Sequence, residues 1–305
     1  MTSLNLSSRE LVRLEVESDQ YLVAYSAVGS EKFSLVGITS LNCSRNFLTN
    51  LPLFPEGLEN LFCLGNNLSN LPQLPNSLKE LACPINRITS LPLLPEGLKI
   101  LSCSDNLLTD FPLLPRGLKS LYCSGNKITS LPTLPEGLKV LTCSDNKITD
   151  LPTLPKSLET LRCSCNLLIS LPLLPKRMKV LSCFDNHLSN LPLLPKGLEE
   201  LMCYANLLTN LPLLSEELKD LYCSDNLLKN LPSLPEGLKV LSCRDNPLKY
   251  VSYLRIRPYI HIVPESLEKE HSEENYPKGF RLQETNRYLF LTFFTELGLQ
   301  LDFLG

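Results

Sequence analysis

The chain has few of the residues on which enzymes most often depend. It contains no tryptophan and only three histidines, His187, His261 and His271, which fit neither a zinc-ligand spacing nor a Ser/His/Asp order. It also lacks a glycine-rich phosphate-binding loop. These absences disfavour an enzyme, and we expect no catalytic residue, no metal site and no cofactor.

Charge of one sign and long uncharged apolar runs are lacking as well. The 29 lysines and arginines nearly balance the 32 aspartates and glutamates, giving a net charge of −3, which disfavours nucleic acid as a partner. The N-terminus has no secretory apolar region, and the apolar C-terminal stretch is interrupted by Glu296 and Asp302. We therefore expect a soluble intracellular protein with no membrane span.

Cysteine, in contrast, recurs every twenty residues from Cys43 to Cys243, eleven times without insertion or deletion. A strict period of this length predicts a solenoid of stacked units over residues 36–251, about eleven in number. In the unit 131–150, LPTLPEGLKVLTCSDNKITD, Leu141 and Cys143 alternate with outward residues at the period of a strand. We predict a curved parallel sheet with these two residues pointing inward and their neighbours on its concave face.

Two ladders of identical residues should stabilise the stack. One consists of buried free thiols, because neighbouring cysteines with parallel Cβ directions suit disulfide geometry poorly, and it implies a reducing compartment. The other consists of asparagines that bond backbone groups where each strand ends. Cys165 lies off the ladder on the concave side, as either a reactive thiol or a chance substitution. The ladders are represented by Cys103, Cys123, Cys143, Asn106, Asn126 and Asn146.

The prolines of each LPxLP segment predict an extended, polyproline-like convex side with little helix. We expect a strand-like N-terminal cap over residues 1–35 and an irregular strand within 253–263. Residues 252–305 should form a C-terminal cap or tail with an amphipathic helix over 284–304. That helix either folds back on the last repeats or docks a partner or a second copy of the chain.

The unit LPxLPxxLxxLxCxxNxLxx resembles the twenty-residue LPX leucine-rich repeats of bacterial type III secreted effectors. These include Yersinia outer protein M and the IpaH/SspH group, and similar repeats occur in large DNA viruses of amoebae. The resemblance implies a repeat scaffold from a bacterial or viral pathogen that acts on host proteins in the host cytoplasm or nucleus. It does not extend to the IpaH ubiquitin ligase domain, whose nucleophile is a cysteine, because no cysteine follows Cys243.

The concave face varies from unit to unit, and we expect its aromatic, Met and Arg side chains to be exposed and to bind a partner. The alternative is ordinary scattered surface apolar residues. An aspartate column that includes Asp185 and Asp225 either contributes to recognition or caps the local turns. The candidate partner-binding residues are Tyr122, Arg162, Phe184, Asp185, Met202, Tyr204, Tyr222 and Asp225.

Together these features favour a non-enzymatic scaffold that binds a protein on the concave face. One alternative is a targeting subunit that recruits an enzyme through the C-terminal tail. Another is binding of nucleic acid or an acidic ligand through a lysine row, although Glu96, Glu136 and Glu236 favour a solvated rim of mixed charge instead. The row consists of Lys79, Lys99, Lys119, Lys139, Lys179, Lys219 and Lys239.

Overall fold

A computed structural model describes residues 2–248 and the backbone of residues 261–262. These residues form strands joined by turns and extended segments, and no helix occurs among them. The predicted helix over 284–304 and the rest of the C-terminal tail, apart from residues 261–262, lie outside the described residues. The strands are β1 (Thr2–Asn5), β2 (Leu11–Glu17), β3 (Tyr21–Ser26), β4 (Gly29–Ser34), β5 (Ile38–Asn42), β6 (Asn60–Phe62), β7 (Glu80–Ala82), β8 (Ile100–Ser102), β9 (Ser120–Tyr122), β10 (Val140–Thr142), β11 (Thr160–Arg162), β12 (Val180–Ser182), β13 (Glu200–Met202), β14 (Asp220–Tyr222), β15 (Val240–Ser242) and β16 (His261–Ile262).

Thirteen of the strands form one parallel sheet that follows the order of the repeats. The order is β1-β5, then β6 to β16 in sequence, and neighbouring units pair in strict register, as Leu141 does with Leu121 and Leu161. The parallel solenoid predicted from the cysteine period is therefore confirmed. β16 pairs with β15 at the far edge, within the segment for which an irregular strand was expected.

The leucine and cysteine of each unit form the core, as their alternation predicted. Leu141 and Cys143 are fully buried, and the same holds for their counterparts along nearly the whole stack. All twelve cysteines are free. Several ladder thiols donate to the strand of the next unit, such as Cys123 Sγ to the Thr142 carbonyl at 3.3 Å. Because every unit supplies the same volume, neighbouring layers pack without a change of register.

The asparagine ladder bonds backbone groups at the end of each strand. The Asn126 side-chain amide donates to the carbonyls of Cys103, Cys123 and Ser124 at 3.1 to 3.2 Å, and its Oδ1 accepts the Leu108 N–H at 3.0 Å. Each amide thus joins its own unit to the preceding one. The turn needs these bonds because unpaired backbone groups in the interior are costly.

The convex segments are extended and contain one turn per unit, as at residues 156–157 after the sixth LPxLP segment. Proline fixes the backbone dihedral φ and removes an N–H donor, which favours this form over a helix. At the one unit where serine replaces the second proline, Ser215 is buried and its hydroxyl donates to the Lys196 carbonyl. The hydroxyl thereby satisfies a backbone acceptor that a proline would leave to other partners.

The N-terminal residues extend the repeat pattern and then cover it. β1 pairs in parallel with β5, and the buried Leu6 lies where later units have cysteine. Strands β2 to β4 form a separate antiparallel sheet whose Leu11 and Leu14 join the main core. Asn46, first of the asparagine ladder, accepts the N–H of Arg9 at 3.0 Å and of Leu11 at 2.9 Å. The segment before residue 36 therefore completes the first unit of the stack.

Replacing Leu141 with alanine should lower the free energy of unfolding by about 2–5 kcal/mol, because a cavity opens in a layer with no exposed surface. Chemical denaturation measures this loss. Leu113→Ala is the matched control, since that leucine is 88% exposed and its loss should cost almost nothing. A change below about 1 kcal/mol for Leu141→Ala would contradict the packing described above.

Candidate protein-binding face

The concave face consists of the outward side chains of the sheet, at the positions of Val140, Thr142 and Ser144 in each unit. Most of these positions hold small or β-branched residues. Four adjacent strands, β11 to β14, differ because register places Arg162 beside Ser182, Ser182 beside Met202, and Met202 beside Tyr222. These three larger side chains are half-buried. Tyr122 lies on the same face two strands from Arg162.

Phe184 is not exposed as the sequence suggested. It is only 5% exposed, and its ring stacks on that of Tyr204 with centroids 4.3 Å apart and planes 9° from parallel. Tyr204 itself is half-buried rather than free in solvent. The prediction was wrong for Phe184 because residues after the ladder cysteine are flanked closely by the next unit. Ser144 and Ser164 are buried at the same position. Phe184 therefore supports Tyr204 and presents little surface of its own.

Charged side chains lie beside this aromatic group. The carboxylates of Glu200 and Asp220 occupy paired positions on neighbouring strands. Burial raises the pKa of Glu200, the Arg162 guanidinium lowers it, and the Asp220 charge raises it. Arg162 Nε is shielded from solvent and makes no hydrogen bond within the described part of the chain. The face thus combines an incompletely bonded cation with two carboxylates whose solvation is reduced.

The aspartate column has a conformational origin that the sequence alone did not reveal. All eleven residues in this column have positive φ, including Asp185 at 52°, Asp225 at 51° and Gly125 at 64°. Glycine, asparagine and aspartate tolerate this left-handed conformation best. Aspartate and glycine together occupy seven of the eleven positions in this column, which was the available signal. A Cβ at position 125 would also collide with the Asp105 carboxylate. Local turn geometry therefore accounts for these residues without any ligand.

Asp105→Asn should raise the free energy of unfolding at pH 7 by about 0.5–1 kcal/mol. This value is smaller than the pKa shift alone implies, because solvent screens the exposed part of the side chain. Burial raises the Asp105 pKa to about 6, and the Asp145 charge adds to the effect. Because the folded pKa is raised, stability is lost as pH increases through about 6. Asparagine avoids that loss and suits positive φ. The gain should vanish below pH 4, and a gain that persists there would contradict the electrostatic cause.

Cys165 is the least buried of the twelve thiols, which agrees with its predicted place off the ladder. Of the two alternatives for Cys165, a reactive thiol is not supported by its surroundings. Burial raises the Cys165 pKa, and the neighbouring carboxylates of Asp145 and Asp185 raise it further. The thiolate is the reactive form, so this environment makes Cys165 a poor nucleophile.

The lysine row forms a rim of mixed charge, as the sequence favoured, but with different carboxylates from those expected. Lys139 pairs with Glu159 at 3.2 Å, and Glu199 pairs with Lys179 at 3.4 Å and Lys219 at 2.5 Å. These glutamates occupy the lysine position itself in neighbouring units. Glu96, Glu136 and Glu236 make none of the ion pairs found among the described residues. Paired lysines present a weakened field to an anionic ligand.

Neither a metal site nor a membrane helix is present in the part of the chain that the structure describes. Residues 2–248 contain no group of three or more His, Cys, Asp or Glu side chains arranged to hold an ion. No helix among them has the length and apolar character needed to cross a bilayer.

Comparison with known proteins identifies the repeat. Residues 96–136 and 116–156 match the family model for leucine-rich repeats in two copies. YopM from Yersinia enterocolitica WA-314 is 34% identical, with a TM-score of 0.57, over 69% of this chain and 56% of that one. YopM from Yersinia pestis, described as a leucine-rich effector protein, is 33% identical, with a TM-score of 0.66, over 68% and 61%. No curated protein sequence matches the chain.

A third similar structure is also described as having a ladder of cysteines. The functional domain of InlJ from Listeria monocytogenes, described as including a cysteine ladder, is 26% identical over 75% of this chain and 58% of that one, with a TM-score of 0.63. The repeat, its parallel sheet and these matches show that this chain is a leucine-rich repeat protein. Its expected resemblance to bacterial effector repeats is confirmed. The chain spans less than two thirds of the length of each YopM structure.

Proposed function

We propose that the protein is a non-enzymatic scaffold that binds a protein partner on its concave face, centred on strands β11 to β14. The supporting observation is the group of Arg162, Met202, Tyr204 and Tyr222, large half-exposed side chains on or directly after β11, β13 and β14, on a face where most other positions hold small or β-branched residues. Leucine-rich repeat solenoids are typical of protein–protein interaction scaffolds. Interfaces concentrate their affinity in aromatic, Met and Arg side chains of this kind.

The charges of the face define the partner further. Arg162 offers guanidinium donors to an acceptor, while Glu200 and Asp220 repel one another and would be stabilised by a cation. Burial and these two carboxylates also raise the pKa of Tyr222. A partner that places a basic side chain over Glu200 and Asp220 relieves that repulsion and gains contact with the Tyr222 ring. Surface aspartates such as Asp185 and Asp225 then form the edge of the contact, where their contribution is small.

By likeness to YopM, the scaffold is an effector of a pathogen and acts on a host protein inside the host cell. This part of the proposal is supported by the repeats alone. Sequence identity to the two YopM structures is about one third, over roughly two thirds of this chain. The rigid stack supports such a role, because side chains on a preorganised sheet lose little further freedom when a partner binds.

The other candidate functions have less support. Nucleic-acid binding through the lysine row is disfavoured because Lys139, Lys179 and Lys219 are already paired with carboxylates. It would predict affinity that falls by orders of magnitude between about 50 and 200 mM salt. Recruitment of an enzyme through residues 252–305 remains the alternative that the partner experiment distinguishes.

An affinity capture from host-cell lysate tests the proposal with two matched variants. The concave variant combines Arg162→Ala, Tyr204→Ser and Tyr222→Ser, and leaves the buried Phe184 intact so that folding is preserved. The control variant instead carries three substitutions on the opposite, convex side, where the leucines are 65–88% exposed: Leu53→Ser, Leu93→Ser and Leu113→Ser.

A partner retained by the wild type and the control, and lost by the folded concave variant, is the expected result. Retention of the same partners by all three proteins would move the binding site to the rim or the tail. Thermal unfolding of each variant verifies that loss of binding does not reflect loss of the fold.

A further inference from the structure

The convex side carries a second surface with a chemistry unlike that of the concave face. The middle residue of LPxLP projects into solvent, and three successive units place leucine there: Leu173 is 85% exposed, Leu193 81% and Leu213 79%. Neighbouring units are about 5 Å apart, so the three side chains form one short row. Soluble proteins seldom leave adjacent large apolar side chains this exposed without a binding role.

Basic side chains border this row. The extended segment turns about once every three residues, which places Lys176 beside Leu173 and Lys196 beside Leu193. Lys156 and Arg177 complete the group, and all four lie near the turns of three consecutive units. None of the four belongs to an ion pair among the described residues, in contrast to the lysines of the rim. Together the three leucines and four cations form the convex basic patch.

The rest of the convex side lacks this combination. Leu93 and Leu113 are equally exposed, at 85% and 88%, but Glu96 and Arg116 follow them and their charges cancel. At the far end of the convex basic patch, Glu216 and Glu217 limit the positive region. Leu113 with Arg116 is an isolated pair, whereas the units of Leu173 and Leu193 are the two adjacent described units that each combine an exposed leucine with a cation outside any ion pair.

We propose that the convex basic patch binds the surface of an anionic lipid membrane. Leucines inserted at the boundary of the acyl chains, with lysines and arginine at the headgroups, are the composition of interfacial membrane contacts. A convex surface touches a plane over only a few neighbouring units, which matches the extent of the patch. The leucines protrude instead of lining a groove, and a fluid bilayer accommodates protruding side chains without a complementary pocket.

A protein that recognises polyproline is a poorer occupant. Such proteins bind the prolines of a PxxP segment, and Pro172 and Pro175 have this spacing. Pro175 is buried in the solenoid, however. Within residues 171–176, only Leu173 and Lys176 are exposed. Membrane contact through these positions leaves the concave face open, so this surface acts independently of the proposed function.

Co-sedimentation of the full chain with vesicles tests the proposal. The vesicles are phosphatidylcholine alone and phosphatidylcholine with roughly 30 mol % phosphatidylserine, at low salt. We expect binding to the anionic vesicles, little to the neutral ones, and about a tenfold loss of affinity when salt is raised to about 0.5 M. Lys176→Glu with Lys196→Glu should reduce binding at least tenfold, and Leu173→Ser with Leu193→Ser should reduce it several-fold.

The matched control is Leu53→Ser with Leu93→Ser, two exposed leucines that are followed by Glu56 and Glu96 instead of by a cation. This control should bind like the wild type, and all substituted side chains are exposed, so folding is preserved. Absence of binding to anionic vesicles would overturn the proposal and leave an acidic protein partner for the patch. Equal binding by wild type and both patch variants would also overturn it, since the contact would then lie elsewhere on the chain.

Discussion

Replacing Asn166 with alanine is expected to lower the free energy of unfolding by about 3–5 kcal/mol. The Asn166 amide donates to the carbonyls of Cys143, Cys163 and Ser164 at 3.0 to 3.1 Å, and Oδ1 accepts the Ile148 N–H at 2.9 Å. Alanine leaves the buried Ile148 N–H without its acceptor and removes one of the bonds to each of the three carbonyls, which keep bonds from Asn146, Asn186 and the Asp145 N–H. A buried polar group left without a hydrogen bond costs free energy because water cannot replace the lost partner. This cost is larger than the net contribution of a hydrogen bond at the surface, where water can replace it.

Chemical denaturation measures this loss, with Asn190→Ala as the control. Asn190 is exposed and bonds only the Ser189 hydroxyl at 3.4 Å, so its replacement should change stability by less than about 0.5 kcal/mol. Equal small effects at Asn166 and Asn190 would show that the ladder is not needed to join adjacent units.

Stability should also decrease steeply in alkaline solution. Burial raises the pKa of the Cys83, Cys143 and Cys183 thiols to about 12, whereas unfolded cysteine ionises near 8.5. The folded pKa is raised, so the stabilisation is complete below about pH 8.5 and is lost as pH rises toward 12. Each such thiol should cost about 2 kcal/mol by pH 10, so these three thiols alone should cost about 6 kcal/mol.

Denaturation at pH 8 and pH 10 measures this effect. The double variant Cys143→Ala, Cys183→Ala is the control, because it starts less stable at pH 8 but should lose less stability between the two values. A wild-type protein whose stability hardly changes between pH 8 and pH 10 would contradict the burial of protonated thiols.

The architecture was predictable because every unit repeats the same physical requirement. One leucine and one cysteine recur at strand spacing, and a layer that accepts them in one unit accepts them in all, which fixes the register of Leu141 with its neighbours. The asparagine ladder followed from the same reasoning, since a polar side chain repeated beside an apolar core must bond the backbone there. Prolines spaced along the convex segments excluded helices.

The details that sequence reasoning missed depend on contacts between units. Phe184 is buried because the following unit supplies Tyr204 as a stacking partner, and no pattern within one repeat encodes that pairing. Lys139 pairs with Glu159, twenty residues away, instead of with a residue of its own unit. The aspartates occupy a left-handed backbone position that the shared use of aspartate and glycine in this column could have revealed.

Two surfaces with opposite character therefore occupy opposite sides of the same units. The concave face presents Tyr204, Tyr222 and the paired carboxylates of Glu200 and Asp220, while the convex side presents leucines bordered by lysines. A scaffold that contacts an anionic membrane through Leu193 and its neighbours keeps the concave strands directed away from the bilayer. Such an arrangement would concentrate the partner at a surface without any change in the fold.

Site-specific crosslinking tests concave binding most directly. A photo-crosslinking phenylalanine derivative replaces Tyr222 on the concave face or, in the control, Leu113 on the convex side, and each protein is irradiated in host-cell lysate. We expect a discrete crosslinked partner from position 222 that is absent from position 113. Crosslinks of equal yield and identity from both positions, or from position 113 alone, would contradict the assignment of the concave face as the binding site.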